Sequence, residues 1–179
     1  MRPFAFQFSV ESGTTGATFA TENIYMKKVL IASDHAGFGG KEAIKKTLDE
    51  MGIAYEDCGA YSEESVDYPD FAERVARSIA GGEADQGILV CGSGIGMQIA
   101  ANKVPGIRAA LAWSEETARL ARQHNDANIL AIGSRTTPAE VIDQIVRAFL
   151  TTDFDGGRHQ KRLDKIALLE QEPRQNRSE

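Results

Sequence analysis

The sequence predicts an α/β fold, a five-stranded and mainly parallel sheet with helices on both faces. Two observations predict it. Short apolar runs alternate with amphipathic segments five times from Lys28 onward, the pattern of parallel strands joined by crossover helices. The runs, such as Val29–Ala32 and Gly87–Cys91, are also apolar throughout, as strands covered on both faces require.

The first strand, Val29-Leu30-Ile31-Ala32, ends at Ser33-Asp34. Ile44, Leu48 and Met51 then recur at helical spacing, and Gly52 stands where a helix stops. Ile53 to Cys58 predicts a second strand, closed by Gly59. A loop rich in Ser, Glu and Asp runs to Tyr68-Pro69, after which Phe71, Val75 and Ile79 mark a helix that Gly81-Gly82 ends. Gly87–Cys91 is the clearest buried strand, and it feeds Gly92-Ser93-Gly94-Ile95-Gly96 and a helix carrying Ile99, Ala100 and Val104. Ile107 to Ala112 is the fourth strand. Ser114 is a good N-cap before Glu115 and Glu116. The fifth strand spans Asn128 to Gly133. Pro138 starts a helix with Val141, Ile142, Ile145 and Phe149, and a last helix carries Leu163, Ile166 and Leu169.

Residues 26–171 are expected to form a single domain, within the usual size for one core. Residues 1–25 hold Phe4, Phe6 and Phe8 and then a polar, Gly/Thr-rich stretch, with Arg2 as the one basic residue. Lacking a continuous apolar region, this segment fits neither a signal nor a transit peptide. It reads as a disordered extension, or as the product of an upstream start codon, with Met26 as the functional start. Residues 172–179 read as a frayed tail.

With a net charge of −6, the chain has no general attraction for nucleic acid or anionic lipid, and no run of about 18 apolar residues suggests a membrane span. Any anion must be held by local charge. The two cysteines, Cys58 and Cys91, form no CxxC, so they read as reduced thiols of a cytoplasmic protein.

The segment Cys91 to Gly96 carries the most chemistry. Glycines on a strand-to-helix turn let backbone N–H groups converge on an anion, although a tight turn alone would also demand them. Dinucleotide spacing fails, because Met97 or Ile99 stands where the last glycine should be. The turn at His35–Lys41 fails as a phosphate loop, since His35 replaces its leading glycine. Cys91, at the last strand position, is either a reactive thiol or a small buried one. Asp34 could cap the next helix, and His124 could simply favour a helix C-terminus. Arg158 and Arg162, four residues apart near a helix start, suit a phosphate or a solvated basic face equally.

In order, Ser33-Asp34-His35-Ala36-Gly37-Phe38, Asp67-Tyr68-Pro69, Cys91-Gly92-Ser93-Gly94-Ile95-Gly96, Ala100-Ala101-Asn102-Lys103, Arg122-Gln123-His124-Asn125, Gly133-Ser134-Arg135 and Gly156–Arg162 resemble the type B ribose-5-phosphate isomerase family. That family also includes galactose-6-phosphate isomerase subunits. The resemblance covers about Met26 to Gln171. It implies a Rossmann-like three-layer α/β/α sandwich, working as a homodimer or a dimer of dimers with sites between subunits, and needing no metal and no nucleotide.

The resemblance also implies an aldose–ketose isomerase of the pentose phosphate pathway. Cys91 would be the base, Ser93 a hydroxyl beside it, and His124 the aid to ring opening. Asp34, His35 and Tyr68 would contact the sugar. Gly92, Ser93, Gly94, Ile95, Gly96 and Asn125 would lie near the reacting carbons, and Arg135, Arg158 and Arg162 would hold the phosphate. Members without the cysteine carry a glutamate base where this chain has Met97, and Ser93 replaces a threonine. Three other readings stand beside it: an isomerase of a six-carbon 6-phosphate, a non-catalytic flavodoxin-like phosphate-binding module, and a redox-sensing thiol protein.

Overall fold

The computed structural model describes residues 28–171. The expected extension before Met26 and the tail from Glu172 fall outside them. Strands β1 (Val29–Ser33), β2 (Tyr55–Asp57), β3 (Gln86–Cys91), β4 (Ala109–Leu111) and β5 (Ile129–Gly133) pair in the order β2-β1-β3-β5-β4. Every pairing is parallel. The connecting helices are α1 (Phe38–Met51), α2 (Tyr68–Ala80), α3 (Ile95–Ala101), α4 (Glu115–Asn125) and α5 (Ala139–Thr151), and α6 (Gln160–Gln171) follows.

The two-residue period of the strands splits their side chains between two cores. Val29, Ile31, Ile88, Val90, Leu130 and Ile132 pack with Ile44 and Leu48 of α1, Ala118 and Ala121 of α4, and Ile145 and Phe149 of α5. Leu30, Ala32, Leu89 and Cys91 pack with Ala72, Val75 and Ile79 of α2 and Met97 and Ala101 of α3. The result is the expected three-layer sandwich. Cys91 therefore points toward the α2–α3 layer.

Local signals explain most boundaries. Gly52 closes α1 in the left-handed region at φ 67°. Ser114 caps α4 in a reciprocal arrangement with Thr117. The edge strands β2 and β4 are shorter than expected, although backbone hydrogen bonds to the neighbouring strands continue just past them, from Val29 N to the Ala54 oxygen, Cys58 N to the Ile31 oxygen and Ala112 N to the Ala131 oxygen.

Two helix faces differ from expectation. In α3 the buried residues are Met97 and Ala101, four apart, whereas Ile99 is 55% exposed and Val104 lies beyond the helix end. In α6 only Leu163 is buried; Ile166 and Leu169 face outward. Arg158 precedes α6, so it shares no helix face with Arg162. Among the described residues no helix is long and apolar enough to cross a membrane.

One buried charge locks the loop after β2. Lys41 of α1 is 0% exposed, and its Nζ donates to Asp57 Oδ1 and to the carbonyl oxygen of Ala60, each at 2.6 Å. Burial alone would push the Asp57 carboxyl up. Hydrogen bonds from Lys41, Gly59 N and Lys45 outweigh it and hold the carboxyl below its ordinary range.

Candidate active site

The strand order reverses direction between β1 and β3. The chain leaves β1 for α1 on one face and β3 for α3 on the other, so the two loops part and open a cleft at the carboxyl edge. A cavity of about 730 Å³ fills it, lined by Asp34, His35, Ala36, Tyr68, Cys91, Gly92, Ser93, Ile95, Gly96, Ile99, Arg135 and Thr136. A second cavity of about 560 Å³ shares His35, Ala36 and Arg135 and extends between the starts of α1 and α5.

Backbone contacts fix the cleft. The N–H of Asp34 donates to the Val90 carbonyl oxygen at 3.2 Å. Asp34 Oδ1 accepts from Gly37 N at 2.8 Å, which closes the turn; the N-cap of α1 is Gly37 itself. A β-carbon on Gly37 would sit 2.2 Å from the Val90 oxygen, so only glycine lets the β1–α1 loop press on the end of β3. Ser134 Oγ donates to the carbonyl oxygens of Ala36 and Cys91, tying the three loops together.

Cys91 is 5% exposed. Its Sγ accepts a hydrogen bond from Gly94 N at 3.1 Å. Gly94 can place its N–H there because it sits at φ 77° and is wedged against Leu111 and Ile132. The first bond within α3 runs from Gln98 N to Gly94 O, which leaves the Gly96 and Met97 N–H groups without helical partners. Ser93 Oγ is exposed and accepts from Ile95 N at 3.4 Å.

His35 Nδ1 accepts from Val66 N at 3.2 Å, so the proton of the neutral ring resides on Nε2. The Tyr68 ring, at the start of α2, covers Gly96. The Arg135 side chain lies along Gly92, its Cδ 3.4 Å from where a β-carbon would stand.

His124, Asn125, Arg158 and Arg162 line neither cavity. The topology explains why. α4 leaves the carboxyl edge and runs back for 11 residues, roughly 16 Å at 1.5 Å per residue. Its C-terminus thus reaches the opposite edge, where Arg108 Nε, just before β4, donates to the Asn125 carbonyl oxygen at 2.9 Å. Asp126 holds that end at φ 43°, its carboxylate accepting from Arg108 and Arg122. There the His124 ring meets His159, close to Arg158. Among the described residues Arg135, Arg158 and Arg162 enter no salt bridge.

These side chains thus fall into two groups: Cys91, His35 and Arg135 at the carboxyl edge, and His124, His159, Arg158 and Arg162 at the amino edge. Sequence reasoning missed Ser134, Thr136 and His159. The short polar run after the fifth strand was a signal for the first two. Nothing local distinguished His159 from a solvated basic turn.

Residues 29–166 match the family model described as Ribose/Galactose Isomerase. The chain is 48% identical over 146 residues to the ribose-5-phosphate isomerase B of Escherichia coli (strain K12), covering 82% of this chain and 98% of that one. Among solved structures, the ribose 5-phosphate isomerase of Thermotoga maritima superposes with a TM-score of 0.77 at 57% identity, over 79% of this chain and 97% of that chain. Ribose-5-phosphate isomerase B of Mycoplasma genitalium, solved with bound ribulose-5-phosphate, gives 0.77 at 45% identity, over 82% and 97%.

Proposed function

The chain belongs to the ribose/galactose isomerase family, and on that footing we propose that it interconverts D-ribose 5-phosphate and D-ribulose 5-phosphate through a cis-enediolate. The relatives that carry this activity in their names match it along nearly their whole length. The observation that carries the mechanism is the Cys91 sulfur, set at the wall of the cleft under the Gly94 N–H.

In this reading the Cys91 thiolate takes the C2 proton of the open-chain aldose. The C–H electron pair becomes the C1=C2 bond, and the carbonyl pair moves onto O1. The hydroxyl proton on O2 passes to O1, and Cys91 returns its proton to C1, which leaves the ketose carbonyl at C2. Backbone N–H groups at the start of α3, with Ser93, steady the enediolate oxygens. Asp34, His35 and Tyr68 hold the sugar, and Asn125 lies near the reacting carbons. Arg135, Arg158 and Arg162 hold the phosphate, whose binding energy orients the reacting end.

His124 assists ring opening. Because His124 and Cys91 stand at opposite edges of one sheet, a second copy of the chain supplies the histidine half-site, so a homodimer or a dimer of dimers is the working unit. The exposed Ile95 and Ile99 beside the cleft fit such a contact. Residues 26–171 act as one isomerase domain. Two free thiols fit a cytoplasmic enzyme of the pentose phosphate pathway.

Two inactive variants provide the test. Cys91→Ala and His124→Asn each abolish ribose 5-phosphate turnover. Mixed and allowed to exchange subunits, they form heterodimers with one intact site, recovering up to about a quarter of wild-type activity. Mixtures that stay inactive would remove the shared site. Turnover of allose 6-phosphate above that of ribose 5-phosphate would overturn the substrate assignment.

A further inference from the structure

The mechanism leaves His159 unused, yet its ring stacks on His124 with centroids 4.3 Å apart and planes 6° from parallel. His159 is buried, and His124 is half-buried. Arg158 Nε donates to His159 Nε2 at 3.3 Å, so that nitrogen carries no proton and the neutral ring is protonated on Nδ1. A second proton would have to go onto the nitrogen that faces the guanidinium. The charged groups around the ring are Arg158 and Asp155 from the turn before α6, Arg162 from α6 and His124 from α4. Burial pushes His159 below the ordinary histidine range, and His124, Arg158 and Arg162 push the same way against Asp155.

His124, Asp155 and His159 place their ligand atoms within 4.8 Å of one another, but this arrangement does not suit a metal. A metal bonds in the plane of each imidazole, and two parallel stacked rings direct no in-plane lone pairs to one point. A neutral aromatic ring face against a second imidazole suits a different task, because the π face attracts that imidazole when it carries charge.

We propose that His159 is the positioning residue for His124, a neutral imidazole whose face fixes the orientation of the His124 ring and stabilises it while it moves the proton of ring opening. The proposal rests on the assignment of ring opening to His124.

The substrate pair offers a selective test. Ribose 5-phosphate is a closed furanose and must be opened. Ribulose 5-phosphate has its C5 oxygen in the phosphate ester, so it is open-chain and needs no such step. His159→Ala lowers kcat for ribose 5-phosphate about 10- to 100-fold, with KM within about twofold. It leaves Cys91-dependent exchange of the ribulose 5-phosphate C1 hydrogen with D2O at the wild-type rate. His159→Phe, which keeps a stacking face, restores most of kcat. In proton NMR the upfield ring-current displacement of the His124 ring protons disappears in the alanine variant and persists in the phenylalanine variant. Wild-type kcat in His159→Ala, or equal loss in both variants, overturns the proposal. His124→Asn runs alongside as a control: full turnover in that variant sinks the ring-opening assignment, whereas a dead control beside an unimpaired His159→Ala sinks the His159 proposal alone.

Discussion

The backbone N–H of Gly94 is aimed at the sulfur of Cys91 from 3.1 Å. The strand that carries the thiol and the turn that precedes α3 are thus coupled by one hydrogen bond, and the bond depends on a left-handed residue three positions downstream.

Gly94→Ala tests that dependence. An added β-carbon would meet Leu111 Cδ1 at 2.4 Å and the Ile132 carbonyl carbon at 2.9 Å, at φ 77°. Left-handed strain and overpacking together should cost about 3 kcal/mol. Gly52→Ala shares the positive φ but meets nothing within 4 Å, so it should cost about 1 kcal/mol. Urea melts of the two variants measure the difference, and equal midpoints would refute the packing argument.

The two cysteines should react differently. Cys91 borders the cleft, whereas Cys58 is absent from both site cavities and is pushed up by burial and by the Glu56 carboxylate. Iodoacetamide at neutral pH should therefore alkylate Cys91 first, with loss of turnover, and ribose 5-phosphate should slow that reaction. Peptide mass mapping reads the site. Preferential labelling of Cys58 would argue against a cleft thiol.

Lys41→Met should lower stability by about 2 kcal/mol, because it strips a partly buried carboxylate of its main partner. The pH dependence follows from the direction of the Asp57 shift. Its folded value lies below the ordinary 3.8, so the unfolded chain takes up the proton first as pH falls. The stabilisation is complete above about pH 4 and is lost as pH drops through the folded value. Acid melts should be steeper below pH 4 in the wild type than in Lys41→Met, and identical slopes would contradict the coupling.

Much of this architecture could be read from the residues, for identifiable reasons. Ser114 with two glutamates behind it, and Gly52 after an apolar stripe, are local devices, and the structure uses both. The face of α3 was not legible. Ile95, Met97, Ile99, Ala100 and Ala101 surround the helix with apolar side chains, so periodicity cannot select the inward pair. In α6 the spacing of Leu163, Ile166 and Leu169 suggests a buried stripe, but of the three only Leu163 is buried among the described residues. For the site, the residues at the carboxyl edge gather as strand-end reasoning directs. The separation of His124, Arg158 and Arg162 from the thiol required knowing which way α4 runs. His159 required three-dimensional proximity to His124.

In the shared-site reading proposed above, opposite rims of one sheet hold complementary fragments of one reaction, and damage then follows a particular arithmetic. A lesion at the thiol rim and a lesion at the imidazole rim, carried by separate chains, can cancel in one of the two clefts they share. The same pair of lesions in a single chain spoils both clefts whenever that chain joins a healthy partner. On the same reading, dilution to single chains should abolish turnover.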